Sequence, residues 1–211
     1  MTPLALVTGG QQGIGLGIAT ALAEAGFRIA IASLPAADDP SVTGALARLG
    51  PSARYFQHDL SQVEVVPDLI DRVEGEMGPI STLVQNAGVA AKVRGDMLTI
   101  TPEDFDFVTG INLRGAFFLA QEVARRMLGR GNGPYRSIIF VTSASARMAS
   151  VERADYCISK AGAAMAAQAL ALRLAPDGIG VFEMRPGIIE TGMTAGVKDA
   201  YTARIEGGLV P

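Results

Sequence analysis

Residues 8–15 decide the fold and read Thr8-Gly9-Gly10-Gln11-Gln12-Gly13-Ile14-Gly15. The apolar run at 4–7 before them is typical of a buried parallel strand, and the alanine- and leucine-rich run at 16–25 after them is typical of a helix. A strand, a glycine turn and a helix in this order suit a phosphate-binding loop. Glycine lets the backbone approach a pyrophosphate, and the helix N-terminus offers unpaired N–H groups. The alternative is an ordinary tight turn between a strand and a helix.

Strand and helix patterns alternate along the rest of the chain. The predicted strands lie near 4–8, 27–33, 53–58, 81–86, 137–142 and 179–185. The predicted helices lie near 14–25, 40–50, 62–77, 102–129 with a break near Asn112, 155–175 and 198–207. This alternation predicts an α/β fold of the Rossmann type, with a doubly wound parallel sheet, helices on both faces and three α/β/α layers.

Length and composition indicate a single domain over 1–211. Hydrophobic residues make up 49% of the 211 residues, which suits a sheet buried on both faces. A net charge of -3 gives no basic surplus for nucleic acid, and no segment has the length of an apolar membrane span. The single cysteine, Cys157, fits a reducing cytoplasm. His58 has no cysteine or acidic cluster at metal-ligand spacing, so we expect no metal site.

Tyr156 and Lys160 are four residues apart in the helix predicted at 155–175. Positions i and i+4 share one helix face, so the phenol and the ammonium can converge on one substrate atom. A nearby ammonium favours the phenolate and lowers the pKa of a tyrosine towards neutrality. The pair therefore suggests a general acid and base for an alcohol oxygen, although such pairs also occur by chance on solvated helix faces.

Motifs along the whole chain resemble the classical short-chain dehydrogenase/reductase family. The glycine spacing is G-x-x-x-G-x-G, and Ser143 precedes the Tyr156 and Lys160 pair. Further family elements are an aspartate after the third strand, an N-A-G element after the fourth, an asparagine in a helix and a P-G-x-x-x-T element after the sixth. In this chain they are Asp59, Asn86-Ala87-Gly88, Asn112 and Pro186-Gly187 followed by Thr191.

The resemblance implies a catalytic set. Tyr156 would be the general acid in reduction and the base in oxidation, and Lys160 would support it and hold the nicotinamide ribose. Ser143 would hydrogen-bond the substrate oxygen, and Asn112 would hold a water that links Lys160 to solvent. Thr191 would bond the nicotinamide carboxamide. The implied coenzyme contacts are Gly9, Gln11, Gln12, Gly13, Ile14, Gly15, Ser33, Asp59, Leu60, Asn86, Ala87, Gly88, Tyr156, Lys160, Pro186, Gly187, Ile189 and Thr191.

The choice between NAD(H) and NADP(H) departs from the family pattern. An NAD enzyme usually ends its second strand with an acidic residue, whereas an NADP enzyme places an arginine or lysine in the glycine turn or just after that strand. Here Ser33 ends the strand, Leu34 follows it and Gln12 occupies the turn. Because the missing acid removes repulsion against a phosphate, we expect NADP(H) to be favoured.

The resemblance also suggests a substrate class. Segments such as Val93 to Asp96 and Gly207 to Pro211 are most similar to bacterial 3-oxoacyl-[acyl-carrier-protein] reductase-like members. We therefore expect hydride transfer between a ketone and a secondary alcohol, with a small-molecule or thioester-linked substrate. A sugar or polyol dehydrogenase and a non-catalytic nucleotide-binding scaffold remain alternatives.

Quaternary structure and chain length follow from the same likeness. Family likeness implies a homodimer or homotetramer. It also implies a further helix and a seventh strand after the sixth strand, so we expect 1–211 to lack its C-terminal helix and last strand.

Overall fold

A parallel sheet of six strands forms the middle layer of the protein. The structure, a computed structural model, describes residues 2–130, 134–187 and 189. The sheet order is β3-β2-β1-β4-β5-β6, and every neighbouring pair is parallel. The strands are β1 (Leu4–Thr8), β2 (Arg28–Ser33), β3 (Arg54–Gln57), β4 (Thr82–Gln85), β5 (Arg136–Val141) and β6 (Ile179–Met184).

Helices connect the strands and cover both faces of the sheet. They are α1 (Gly13–Glu24), α2 (Pro40–Leu49), α3 (Val66–Met77), α4 (Pro102–Thr109), α5 (Ala116–Leu128) and α6 (Ala154–Leu174). The doubly wound architecture is confirmed, and the predicted elements within the described residues agree with the structure to within a few residues. The helix predicted at 198–207 lies outside the described residues.

Two hydrophobic cores flank the sheet because its central strands are buried on both sides. One core joins the sheet to α3, α5 and α6, with Leu69, Leu119 and Ala163 among its members. The other joins the sheet to α1 and α2 through residues such as Ala19 and Ala45. Alternate residues of the strands β1 to β5 therefore enter opposite cores, as expected for an α/β/α sandwich.

The break predicted near Asn112 is a π-helical turn, Gly110–Gly115, between α4 and α5. A side chain on Gly115 would place its Cβ 2.1 Å from the carbonyl oxygen of Leu60. The turn therefore packs closely against the loop that follows β3. Such single π-turns occur frequently at functional sites, and this one carries Asn112 towards the sheet.

The sheet topology places one crevice at the carboxyl ends of the strands. The chain passes from β1 outward to β3 and then returns to β4 on the other side of β1. Open α/β sheets bind ligands at such a reversal point. None of the helices that the structure describes is long and apolar enough to span a bilayer.

Candidate active site

A cleft of about 630 Å³ runs along the carboxyl ends of the strands. One end lies beside Ser33 and Asp59, and the other lies beside Ser143 and Tyr156. The glycine turn borders the cleft between β1 and β4. A single open crevice therefore joins the predicted phosphate loop to the predicted catalytic residues.

The glycine turn has a backbone geometry that requires glycine. Gly9 and Gly13 have φ angles of 64° and 53°, in the left-handed region. A Cβ on Gly15 would lie 2.2 Å from the carbonyl oxygen of Gly9, so the first turn of α1 packs directly against the turn. The N-terminus of α1 thus stands open at the cleft, where its N–H groups suit a pyrophosphate.

Other features of the cleft also fit a dinucleotide. The side chain of Gln11 is buried, and its Oε1 has no hydrogen-bond partner among the described residues. Gln11 lines the cleft beside the turn, so a bound ligand is a natural source of the missing donor. The cleft volume lies within the range typical of small-molecule and cofactor sites.

Thr8 fastens the loop after β4 to the glycine turn. Its Oγ1 accepts hydrogen bonds from the backbone N–H groups of Asn86 at 3.0 Å and Ala87 at 2.9 Å. The Asn86 side chain donates in return to the carbonyl oxygens of Thr8 and Gly9 at 3.0 and 3.3 Å. Asn86 therefore holds the shape of the turn in addition to lining the cleft.

Ser33, at the end of β2, is hydrogen-bonded to Tyr55 from β3. The hydroxyl of Tyr55 donates towards the carbonyl oxygens of Ser33, at 2.8 Å, and Pro35. Carbonyl oxygens can only accept, so the tyrosine proton is used there. The 3.1 Å contact between the Ser33 and Tyr55 hydroxyls must then use the serine proton. Ser33 consequently presents lone pairs, not a proton, to the cleft.

His58 and Asp59 complete this end of the cleft. Burial lowers the pKa of His58, and its Nε2 has no partner among the described residues. Burial alone would raise the pKa of Asp59, but hydrogen bonds from the backbone and side chain of Ser61 hold it below its usual value. Asp59 is therefore an ionised acceptor at neutral pH.

Asn112 lies behind the cleft wall and does not line the cleft. Its side chain is buried at 2% exposure and makes two hydrogen bonds to the backbone of Val89 and one to Ser159 Oγ, at 3.1 Å. A Cβ on Gly88 would lie 2.9 Å from Asn112 Oδ1 and 3.3 Å from Lys160 Nζ. Gly88 therefore lies between the Asn112 amide and the Lys160 ammonium and close to both.

Lys160 is buried beside Tyr156 on α6. Its Nζ lies 5.8 Å from the centroid of the Tyr156 ring and donates a hydrogen bond to Val141 O at 3.2 Å. Burial lowers the pKa of Lys160 to about 8. Because the ammonium remains largely charged at neutral pH, it favours a negative charge on the neighbouring phenol.

Ser143 begins the short helical turn that follows β5. Its Oγ accepts a hydrogen bond from the backbone N–H of Ser145 at 3.1 Å. The next residue, Ala144, donates its N–H to the carbonyl oxygen of Pro186 at 2.9 Å. These contacts fix the serine at the cleft and leave its proton available to a substrate oxygen.

The cleft brings together almost all of the residues expected from the sequence. Those that line it are Gly9, Gln11, Gln12, Gly13, Ile14, Gly15, Ser33, Asp59, Leu60, Asn86, Ala87, Gly88, Ser143, Tyr156, Lys160, Pro186, Gly187 and Ile189. Asn112 supports the wall from behind, and Thr191 lies outside the described residues.

The sequence did not predict the contacts of four residues at the site. Thr8 and Tyr55 act through partners distant in sequence, so nothing local marks them. The unpartnered Nε2 of His58 depends on burial. Arg153, whose guanidinium carbon lies 5.7 Å from the centroid of the Tyr156 ring, was detectable by its position three residues before that tyrosine. The described residues contain no cluster of three or more histidine, cysteine or acidic side chains able to hold a metal.

Comparison with known proteins places this architecture in a family. Residues 3–202 match the family model described as short chain dehydrogenase. Galactitol 2-dehydrogenase from Agrobacterium fabrum is 34% identical over 206 residues, covering 97% of this chain and 77% of that protein. A 3-oxoacyl-[acyl-carrier-protein] reductase from Staphylococcus epidermidis is 31% identical over 200 residues, covering 94% and 80% respectively.

A solved structure shows the same fold. The 3-oxoacyl-[acyl-carrier protein] reductase from Brucella melitensis, crystallised in complex with NAD, is 48% identical, with a TM-score of 0.94. The match covers 100% of this chain and 83% of that one. Since the family model and these relatives extend over nearly the whole sequence, the chain belongs to the short-chain dehydrogenase family and is an oxidoreductase.

Proposed function

We propose that this protein interconverts a ketone and a secondary alcohol with Tyr156 as general acid and base. The observation that carries the proposal is the buried Lys160 ammonium 5.8 Å from the Tyr156 ring, in the cleft that also holds the glycine turn. A nicotinamide coenzyme, when bound, supplies the hydride. The protein must then place the two reactants and manage one proton.

Tyr156 and Ser143 act on the same substrate oxygen. In reduction the phenol donates a proton to the oxygen as negative charge develops there, and in oxidation the phenolate takes the proton back. The Ser143 hydroxyl donates a hydrogen bond to the same atom and stabilises its charge. Ser145 N–H, by donating to Ser143 Oγ, directs the serine proton towards the substrate.

Lys160 and Asn112 support the acid and base. The Lys160 ammonium stabilises the phenolate electrostatically and holds the nicotinamide ribose by hydrogen bonds. The Asn112 amide uses both its oxygen and its nitrogen on neighbouring groups, so its role is to position the wall around Val89 and Gly88. The remaining lone pair of its Oδ1 can accept a hydrogen bond from one water, and this water could exchange protons with Lys160. For Thr191, which lies outside the described residues, we propose the hydrogen bond to the nicotinamide carboxamide that the family resemblance implies.

The proposed substrate is a 3-oxoacyl thioester. Two observations support it: the likeness to 3-oxoacyl-[acyl-carrier protein] reductases and the apolar wall formed at the catalytic end by Val89, Ala90 and Met148. A sugar or polyol dehydrogenase is the second candidate, because galactitol 2-dehydrogenase and D-threitol dehydrogenase are relatives at 34% identity.

The proposed coenzyme preference rests on hydrogen-bond direction at Ser33. The missing acid suggested NADP(H), but the serine proton is committed to Tyr55, so Ser33 offers an acceptor. A ribose 2′-hydroxyl can donate to that acceptor, whereas a phosphate at neutral pH is itself an acceptor. Among the described residues, no lysine or arginine lines this end of the cleft. We therefore propose NAD(H) as the preferred coenzyme.

A homodimer or homotetramer is the proposed assembly. Ile158, Met165 and Leu172 are exposed on α6 at seven-residue spacing, which places them on one stripe of the helix. Exposed apolar stripes of this kind commonly mark contacts between subunits. Size-exclusion chromatography with light scattering measures the assembly directly, and a monomer at micromolar concentration would contradict it.

The test of the reaction is the variant Tyr156→Phe, with Tyr135→Phe as the matched control. Tyr135 is 66% exposed and does not line the cleft. Turnover is followed by reduced-nicotinamide absorbance with an acetoacetyl thioester, and coenzyme affinity by NADH fluorescence. We expect Tyr156→Phe to lower kcat by about 10²- to 10⁴-fold with nearly unchanged NADH affinity. The control should leave both unchanged.

Two results would contradict the proposal. Equal losses of turnover and NADH affinity in Tyr156→Phe would remove the tyrosine from its catalytic role. Tight coenzyme binding without turnover, across a broad panel of ketones, alcohols and polyols, would favour a non-catalytic nucleotide-binding scaffold.

A further inference from the structure

Two arginines lie at the catalytic end of the cleft and have no role in the reaction proposed above. Arg153 directly precedes α6, and its guanidinium carbon lies 5.7 Å from the centroid of the Tyr156 ring. Arg94 lines the same cleft from the segment that follows Gly88. Within the described ranges, neither guanidinium has an ion-pair partner or a side-chain hydrogen bond.

The charged side chains that line the cleft divide by sign between its two ends. Asp59 is at the end beside Ser33, whereas Lys160, Arg94 and Arg153 are at the catalytic end beside Ser143 and Tyr156. No acidic side chain of the described residues lines the catalytic end. Glu152 and Asp96 are close in sequence to Arg153 and Arg94, but neither lines the cleft. Asp155 is buried, and its Oδ1 accepts from the backbone N–H of Tyr156 at 2.7 Å. The lining of the catalytic end is therefore positively charged, with no ion pair to either arginine among the described residues.

We infer that the substrate carries an oxyanion group, a carboxylate or a phosphate, that Arg153 binds beside Tyr156 with Arg94 as a second cation. This inference rests on the proposed function, because it concerns the substrate of the same site. To the proposed ketone or alcohol it adds an anionic group on the substrate, and it names the two arginines that bind this group.

The arrangement suits an oxyanion better than a neutral polyol. A guanidinium carries paired N–H donors that match two oxygens of a carboxylate or phosphate. The face of Tyr156 restricts the orientation of Arg153, so less side-chain entropy is lost on binding. A neutral polyol gains little from a cation, and a site built only for polyols would leave these charges unused.

Two substrate pairs distinguish the carboxylate from the phosphate. Acetoacetate and acetoacetamide have nearly the same shape but differ in the charge next to the reacting ketone. Acetoacetyl-4′-phosphopantetheine and acetoacetyl-pantetheine share the thioester and the pantetheine arm, but the second lacks phosphate. The ratio of kcat/KM within each pair is measured for the wild type, Arg153→Gln and Arg94→Gln. Arg173→Gln is the control, because this exposed arginine pairs with Asp177 at the far end of α6.

We expect the anionic member of one pair to be preferred by about ten- to a hundredfold, the contribution of one or two hydrogen bonds to a charged group. The pair that shows the preference identifies the source of the anion. Arg153→Gln should bring that ratio close to one, mainly through KM, and Arg94→Gln should lower it less. Arg173→Gln should leave it unchanged.

Binding without turnover keeps this inference separate from the proposed function. Ligand-observed NMR with the NAD-bound protein compares acetoacetate with acetoacetamide and 4′-phosphopantetheine with pantetheine. Selective binding of the anionic member, lost in Arg153→Gln, supports the anion site even if no ketone is reduced. Ratios near one in both experiments, or equal losses for charged and neutral members in Arg153→Gln, would overturn it.

Discussion

The side chain of Asn112 forms hydrogen bonds to both backbone polar groups of Val89, the N–H and the C=O. The amide Oδ1 accepts from Val89 N at 2.8 Å, and the amide Nδ2 donates to Val89 O at 2.9 Å. The π-turn brings Asn112 to this position from between α4 and α5, 23 residues along the chain from its partner. The pair fixes the segment that passes Gly88 and forms the wall next to Lys160.

Asn112→Ala should therefore destabilise the fold and impair the site together. It removes one hydrogen-bond partner each from Val89 N–H and Val89 C=O, which are partly buried, and from the buried Ser159 Oγ. Each such loss costs about 1–3 kcal/mol when water cannot substitute, and we expect the free energy of unfolding to fall by about 2–4 kcal/mol. We also expect kcat to fall at least tenfold. Urea unfolding and steady-state kinetics measure both quantities.

Gln168→Ala is the control for Asn112→Ala, because Gln168 is an exposed amide side chain on α6. It should change neither stability nor kcat. If Asn112→Ala lowered kcat with unchanged unfolding, the role of Asn112 would be in the chemistry and not in holding the wall.

The glycine turn offers a second test with an internal control. In Gly15→Ala the new methyl would lie 2.2 Å from the carbonyl oxygen of Gly9 and 2.5 Å from Asn86 Nδ2, so the turn must open. Gly17→Ala lies on the same helix, with no atom within 4 Å of its Cβ. We expect Gly15→Ala to weaken NADH binding more than tenfold by fluorescence titration. Gly17→Ala should bind normally and unfold at the same or a slightly higher temperature.

Unchanged NADH affinity in Gly15→Ala would mean that the turn does not approach the pyrophosphate. Equal loss of affinity in both variants would point to a general effect of altering α1.

The fold could be predicted from sequence periodicity because each strand and helix has the local pattern typical of its type. β1 is buried along its whole length, and α2 begins at an Asp39 cap followed by Pro40. The doubly wound order then follows from alternating strands and helices. The helix break near Asn112 was predicted, but its form as a π-turn is visible only in the structure.

Contacts between distant segments could not be predicted in the same way. Tyr55 reaches Ser33 across neighbouring strands, 22 residues apart, and Thr8 reaches Asn86 over 78 residues. No local sequence pattern shows that the hydroxyl proton of a serine is already used in a hydrogen bond to a distant residue. The sequence therefore predicted Ser33 as a coenzyme contact but left the direction of its hydrogen bond unknown.

The buried Lys160 should make stability depend on pH in the alkaline range. Burial lowers its pKa from 10.5 to about 8, so between these values the unfolded chain binds more protons than the folded chain. The free energy of unfolding should consequently rise with pH across this window, as the cost of the buried charge disappears. Lys160→Met has no such charge. Relative to it, the wild type should gain about 2 kcal/mol between pH 7.5 and 10.

Urea unfolding of the wild type, Lys160→Met and Lys92→Met over this pH range measures the effect. Lys92 is nearly half exposed, so Lys92→Met should keep the pH dependence of the wild type. Parallel curves for the wild type and Lys160→Met would show that Lys160 titrates normally in the folded protein.

Tyr55→Phe tests how Ser33 selects the coenzyme. Without the Tyr55 oxygen, the Ser33 proton is free to rotate into the cleft and donate to a phosphate. We expect the ratio of Kd for NADPH to Kd for NADH to exceed one in the wild type and to fall about fivefold in Tyr55→Phe, the effect of one hydrogen bond. Fluorescence titration of both reduced coenzymes measures the ratio, and Tyr135→Phe should leave it unchanged.

Stability separates this effect from simple damage to the site. Tyr55 also donates towards Ser33 O and Pro35 O, so Tyr55→Phe should lower the free energy of unfolding by about 1 kcal/mol. That loss of stability should weaken the binding of both coenzymes equally, so it cannot change the ratio of their Kd values. A wild type that binds NADPH more tightly than NADH would refute the acceptor role of Ser33. A lower affinity of Tyr55→Phe for both coenzymes, at constant ratio, would show that Tyr55 only shapes the loop after β2.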